Sequence, residues 1–229
     1  MPFFLSHVLS SKTPSYGNRD SFRSDINTCI SNGDTSNTSS ITFTSNHLGT
    51  HIDAPLHFYS NGSKLTDFDA SMWIFDKVKL IELNCLEARE MNLSDINEEI
   101  PLDTELILFR TGFEKYRNNE CYWNNYPYFS VEFINYLKAN FKSLRCIGFD
   151  TISLTSPINK QAGKICHQIL LSESSQEKPI LIVEDVSFKN VKAKIIDKVI
   201  ISPLLYENSD GSPVTIIAFA KHQQHAQKN

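Results

Sequence analysis

The stretch from His47 to His57 (HLGTHIDAPLH) constrains this chain more than any other. Three of the seven histidines fall inside it, with Asp53 between them. Neutral imidazole and carboxylate are the ligands that Zn²⁺ and its first-row neighbours favour. Side chains on an extended strand alternate faces with a period of two. His47, His51 and Asp53 are all odd-numbered, so a strand would aim all three at one point. Gly49, on the same face, would leave the space beside them open. A helix would also bring His47 and His51 together at i, i+4. The neighbours favour the extended reading: Ile41, Thr42, Phe43, Thr44, Thr50 and Ile52 are β-branched or aromatic. Pro55 also biases Ala54 away from helix. His57 lies beyond Pro55, so the alternation does not fix its direction. Solvated loop histidines, or histidines hydrogen-bonded in a core, are the competing reading. For three histidines and an aspartate in one window, a metal cluster is the simplest common cause.

The rest of the chain sets the frame. Its 229 residues show no shift in composition, which predicts a single domain over residues 1–229. A hydrophobic content of 41% suffices for a sizeable core, and the net charge of −4 gives no case for nucleic acid or an anionic membrane. The N-terminal segment lacks a basic region, so it is not read as a signal peptide. No window approaches the ~20 apolar residues of a membrane span. A soluble, cytoplasmic protein acting on a small molecule is expected. The five cysteines are scattered with no CxxC pair, which predicts reduced thiols and no thiolate zinc site.

Apolar runs over Lys79–Asn84, Glu105–Arg110, Arg145–Asp150, Pro179–Asp185, Ile196–Leu205 and Val214–Ala220 predict strands. Leu5–Ser10 is a candidate first strand, and the polar stretch Ser31–Ser40 reads as a loop or exposed hairpin. Ile41 to Asp53 reads as one strand or extended segment. Helices are expected over Thr66–Phe75, Asn92–Glu99, Ser130–Phe141 and Gln161–Ser172; Ser130 is a good N-cap. The sum is a mixed α/β chain: a mixed sheet or barrel-like core flanked by helices, without the doubly wound rhythm. His167 sits beside the apolar stripe of its helix and, taken alone, reads as a core histidine. The aromatic-rich stretch Phe113–Phe129 would wall a pocket or a subunit interface. His222 and His225, in the polar tail, are assigned no role.

A catalytic metal needs about three protein ligands and one open position. His47, His51 and Asp53 alone would meet that need. Coordination lowers the pKa of bound water from about 15.7 towards about 7 and polarises a scissile carbonyl. His57 would then be free to carry a proton from water to the leaving nitrogen, a task suited to a group with an ordinary pKa of about 6.5.

HLGTHIDAPLHF closely resembles the HxGTHxDxPxH signature of the cyclase family of metal-dependent hydrolases. That family includes bacterial kynurenine formamidases and isatin hydrolases. Weaker matches follow in family order: LSHVLSSKTPSY, FRTGF, GFDTISLTSP, HQILL, ILIVEDV and the DGSPV turn. The resemblance implies a swivelling β/β/α fold and a binuclear site. In it Asp53 bridges two divalent metals; the histidine–carboxylate donor set makes Zn²⁺ the expected ion, with Mn²⁺ as the alternative. His47 and His51 serve one metal, while His167 and Glu184 complete the other, with Asp185 as rival to Glu184. His57 matches the family's proton donor and acceptor. Tyr16 and Phe22 become pocket candidates. Arg110 becomes a candidate for a substrate carboxylate, with an internal ion pair as its competing reading. Asp150 and Ser153 become candidate supports of the site, although the family's later Asp is replaced by Thr155 or Ser156. The implied activity is cleavage of an amide, an aryl formamide such as N-formylkynurenine for choice. A cyclic amide, imide or lactone hydrolase, a cyclase, or a non-catalytic metal-binding or small-molecule-binding protein are the alternatives. A homodimer or homotetramer is expected.

Overall fold

The apolar runs that lack polar alternation become the buried centre of one sheet, as strands covered on both faces should. The structure, a computed structural model, describes residues 1–191 and 196–220. In chain order its strands are β1 (Pro2–Phe4), β2 (Phe22–Thr28), β3 (Thr38–Phe43), β4 (His51–Asp53), β5 (Ile74–Phe75), β6 (Val78–Glu82), β7 (Glu90–Met91), β8 (Leu106–Arg110), β9 (Tyr128–Phe129), β10 (Cys146–Phe149), β11 (Leu181–Glu184), β12 (Ile196–Pro203) and β13 (Gly211–Ala220). The α-helices are α1 (Cys121–Asn124), α2 (Val131–Asn140) and α3 (Lys160–Leu171).

Nine strands form one sheet in the order β5-β12-β13-β4-β11-β10-β8-β6, with β1 added alongside β13. The segment β6, β8, β10 and β11 is parallel; β4, β13, β12 and β5 continue it antiparallel. β6, at the far end, lies beside β12, so the sheet curls towards closure. This is the mixed α/β, barrel-like core expected from the sequence. Crossover α3 links the neighbouring parallel strands β10 and β11 and packs on α2. Phe133, Ile134 and Leu137 of α2 and Cys166 and Leu170 of α3 are buried in the core. Ser130 caps α2 by accepting a hydrogen bond from the Phe133 amide at 3.1 Å. Among the described residues no helix is long and apolar enough to cross a membrane, and no disulfide forms.

Several local expectations need correction. The extended segment Ile41–Asp53 is broken: β3 ends at Phe43, and β4 starts only at His51. Gly49 sits between them with a left-handed φ of +65°, a turn conformation that costs glycine little. Thr66–Phe75 and Asn92–Glu99 are not α-helices but short 3₁₀ turns, the first followed by β5. In both, an aspartate binds the backbone three residues back: Asp67 takes the Lys64 amide at 2.9 Å and Asp95 the Asn92 amide at 2.7 Å. Such side chains compete with helix propagation. Leu5–Ser10 is not a strand; β1 precedes it, and Ser6 makes only an isolated bridge to Val186. His222 and His225 lie outside the described residues.

Candidate functional site

β4 is three residues long and wholly buried. It lies antiparallel between β11 and β13, which places Glu184 directly opposite His51 and Gly211 opposite Asp53. Cross-strand partners share a face, so His51, Asp53 and Glu184 converge from two strands. His167 enters from α3. Its Nε2 lies 3.5 Å from Asp53 Oδ2 and 3.5 Å from Glu184 Oε1. His47 reaches the same point from the turn before β4, not from a continuous strand. Its Nδ1 lies 2.8 Å from Asp53 Oδ1. The convergence expected from odd numbering is therefore present, produced for His47 by the Gly49 turn instead of by alternation.

Hydrogen bonds fix the ring tautomers. His51 Nδ1–H donates to the Gly49 carbonyl at 2.7 Å, and His167 Nδ1–H to the Gly163 carbonyl at 2.8 Å. Each Nε2 then faces the carboxylates, and in the neutral ring it turns a lone pair on them. His51 Nε2 is buried, 3.3 Å from Glu184 Oε2, and makes no hydrogen bond. Lone pairs of two imidazoles aimed at two ionised carboxylates repel unless a cation lies among them. A divalent metal fits this donor set, with the imidazole orientation set by carbonyls in the manner of metal-ligating histidines. Two groups of ligand atoms lie close enough to hold an ion: His51 with Asp53 and Glu184, and His47 with Asp53 and His57. Asp53 belongs to both. This division differs from the expected one, because His51 lies with Glu184.

The electrostatics agree. Burial alone would lower the imidazole pKa values. Asp53 and Asp210 outweigh it at His47, pushing it up to about 10. Asp53 and Glu184 push His167 up to about 9, and the same carboxylates raise His51. The imidazoles in turn hold Asp53 well below the usual carboxylate range against its burial. Protons thus take the place a cation would fill. Each must leave before its nitrogen can ligate, so metal affinity is expected to strengthen as pH rises from 6 towards about 9, by up to about tenfold per unit for each proton released. Calorimetric titration with Zn²⁺ at several pH values and in buffers of different ionisation enthalpy checks this; a flat profile would contradict it.

Asp210 was not singled out in the sequence. It accepts from His47 Nε2 at 3.0 Å and from His57 Nδ1 at 3.3 Å. The Asp-Gly pair at this point reads as turn chemistry, which hid the carboxylate's second use. His57 stacks on His47 with ring centroids 3.9 Å apart. Gly211 is required here by close approach: a Cβ would stand 2.4 Å from the His47 ring. Gly211→Ala should therefore displace His47 and weaken metal binding at least about tenfold, read as a raised metal dissociation constant with an unchanged circular dichroism spectrum.

The other named residues divide. Of Glu184 and Asp185, Glu184 is the one that faces the pocket. Its Oε1 accepts from the Leu154 amide at 2.6 Å and from Ser153 Oγ at 3.1 Å, inside the site. Asp185 has a left-handed φ of +53° and faces away, into a buried ion pair with Arg117 at 2.6 Å. Ser153 lines the pocket, although its hydroxyl serves Glu184. Asp150 is buried and caps the turn after β8, accepting from the Thr111 and Gly112 amides at 2.7 and 2.9 Å. Arg110 is not brought to the site; it pairs with Glu82 at 3.3 Å on the neighbouring strand β6. Phe22 is not a pocket residue either; it pairs with Phe43 in the β2–β3 hairpin. Tyr16 does line the pocket. The aromatic stretch Phe113–Phe129 explains its placement: Phe113, Tyr122 and Tyr126 form a small separate core with Ile152, and Tyr16 packs against it. The pocket is about 290 Å³ in volume, and Phe58 and Ile152 form its apolar walls. Arg19 and Asp20, not foreseen, line it as well.

A family model described as "Putative cyclase" matches residues 3–156. A kynurenine formamidase of Bacillus cereus is 30% identical over 172 residues, 75% of each chain. Isatin hydrolase A of Labrenzia aggregata, solved with benzyl benzoate bound, superposes with a TM-score of 0.79 at 20% identity, covering 96% of this chain and 94% of that one. A "predicted metal-dependent hydrolase" of Bacillus stearothermophilus superposes with a TM-score of 0.72 at 19% identity, covering 96% and 98%. The last two likenesses concern the fold.

Proposed function

The chain belongs to the cyclase family, and from that membership we propose a metal-dependent hydrolase of non-peptide carbon–nitrogen bonds. One observation carries the reading: the buried His51 Nε2, which has no hydrogen-bond partner, faces Asp53 at 3.6 Å and Glu184 at 3.3 Å. His47, His51, Asp53, His167 and Glu184 would hold the metal. Zn²⁺ is the first choice and Mn²⁺ the second, with two ions per chain. A bound divalent cation supplies Lewis acidity and makes water a nucleophile near neutral pH.

The chain's own residues do the rest. Asp210 Oδ2 accepts a hydrogen bond from His57 Nδ1–H at 3.3 Å and so orients the ring. Nε2 is left to take a proton from the attacking water and return it to the departing nitrogen. Phe58, stacked on His167 at 4.4 Å between centroids, keeps solvent from one side. Tyr16 and Ile152 line the same cavity and offer apolar surface to an aromatic ring. An aryl formamide, N-formylkynurenine for choice, fits this set: a small carbonyl at the cluster and an arene against the wall.

The test is release of formate from N-formylkynurenine, with isatin as the ring-opening comparison. Turnover should vanish on chelation and return with Zn²⁺ or Mn²⁺. Faster opening of isatin would transfer the reading to cyclic amides. Full metal loading with no turnover of either substrate would defeat it.

A further inference from the structure

The pocket holds a cation and an anion side by side that are not paired with each other. Arg19 and Asp20 are consecutive and both line the cavity that contains His57 and Glu184. Among the described residues neither takes part in an ion pair, although Arg19–Asp20 pairing would cost the chain nothing in sequence separation. Each is tied elsewhere. The Arg19 Nε–H donates to the Tyr16 carbonyl at 3.3 Å, and its guanidinium lies over the Tyr16 ring at 5.3 Å. This leaves both terminal nitrogens of the guanidinium without a protein partner among the described residues. Asp20 accepts from Thr44 Oγ1 at 3.1 Å through one oxygen, and its amide donates to the buried Ser15 hydroxyl at 2.8 Å. Its second oxygen makes no hydrogen bond among the described residues.

We propose that Arg19 and Asp20 together recognise the amino-acid end of a zwitterionic substrate, Arg19 taking the carboxylate and Asp20 the ammonium. A guanidinium fork with two free nitrogens matches a carboxylate in shape and charge. A ligand with only a carboxylate would meet Asp20 as a repelling neighbour. One with only an amine would meet Arg19. A neutral ring uses neither. Only a group carrying both charges satisfies both residues, and the Tyr16 ring, which lies under Arg19 and packs on the cluster containing Ile152, suits an arene attached to that group. The inference rests on the hydrolase reading for the substrate's reactive end, but the recognition itself needs no turnover.

The test is therefore binding, measured by calorimetry on the metal-loaded protein. Four ligands share one arene: kynurenine, with both charges; 3-(2-aminobenzoyl)propionate, with the acid only; kynuramine, with the amine only; and 2-aminoacetophenone, with neither. The unmodified protein should bind kynurenine about tenfold more tightly than 2-aminoacetophenone, the order expected for charged hydrogen bonds at a partly exposed site. Arg19→Gln should weaken kynurenine and the acid, and Asp20→Asn should weaken kynurenine and kynuramine. Equal binding of kynurenine and 2-aminoacetophenone would overturn the proposal. So would equal losses for all four ligands, which would mark a structural role, or an acid that binds as tightly as kynurenine with no effect of Asp20→Asn. Failure of the hydrolase reading would show separately, as no turnover with this preference intact.

Discussion

Asp53→Asn is expected to remove metal from both halves of the site at once. Asp53 is 1% exposed and is the one residue common to both ligand groups. Asparagine keeps the shape but withdraws the charge and turns a donor towards His47 or His167. Loss of a mere supporting partner of a metal ligand costs about 10–100-fold in affinity or activity, so loss of the shared ligand should exceed about 100-fold in both. A second readout needs no substrate. A ligand bound only by the folded state adds about 4 kcal/mol of stability at a thousand times its dissociation constant. The melting temperature of the unmodified protein should therefore rise when Zn²⁺ is added to chelated samples, while that of Asp53→Asn should not move. Retention of metal and activity by the variant would show that Asp53 bridges nothing.

His57→Ala is expected to separate chemistry from metal binding. General acid–base groups contribute about 10²–10⁴-fold, and kcat should fall by that factor with the metal content unchanged. The prediction is a sharp one for this site, because His57 also lies close enough to His47 and Asp53 to share an ion with them. A variant that loses metal along with turnover would make His57 a ligand and leave the proton transfer without a carrier. Asp210→Asn should act in the same direction as His57→Ala and more weakly, since it frees the ring without removing it.

The sequence made the metal-binding stretch legible because three histidines and an aspartate have few other reasons to crowd into one window. The central strands were legible for a related reason: β8, β10 and β11 are apolar runs too short for helices. What escaped notice were features set by single backbone conformations or by distant pairing. The left-handed turn at Gly49 replaces strand alternation as the device that brings in His47. The left-handed φ at Asp185 decides which of two adjacent acids enters the site, and no periodicity reports it. Arg110 lies on a parallel strand whose register pairs it with Glu82, a partner 28 residues away. Asp210 reaches His47 from 163 residues away, and its local context spells only a turn. Arg19 and Asp20 carry no motif; only the packing of Tyr16 on the Tyr122 and Tyr126 cluster puts them at the pocket.

Metal content per chain tests the central claim most directly. The measurement is elemental analysis of protein purified without added metal or chelator, repeated after saturation with Zn²⁺ and with Mn²⁺. Close to two equivalents are expected, falling to none in Asp53→Asn. Protein that carries no metal and takes up neither ion on addition would contradict the account at its base.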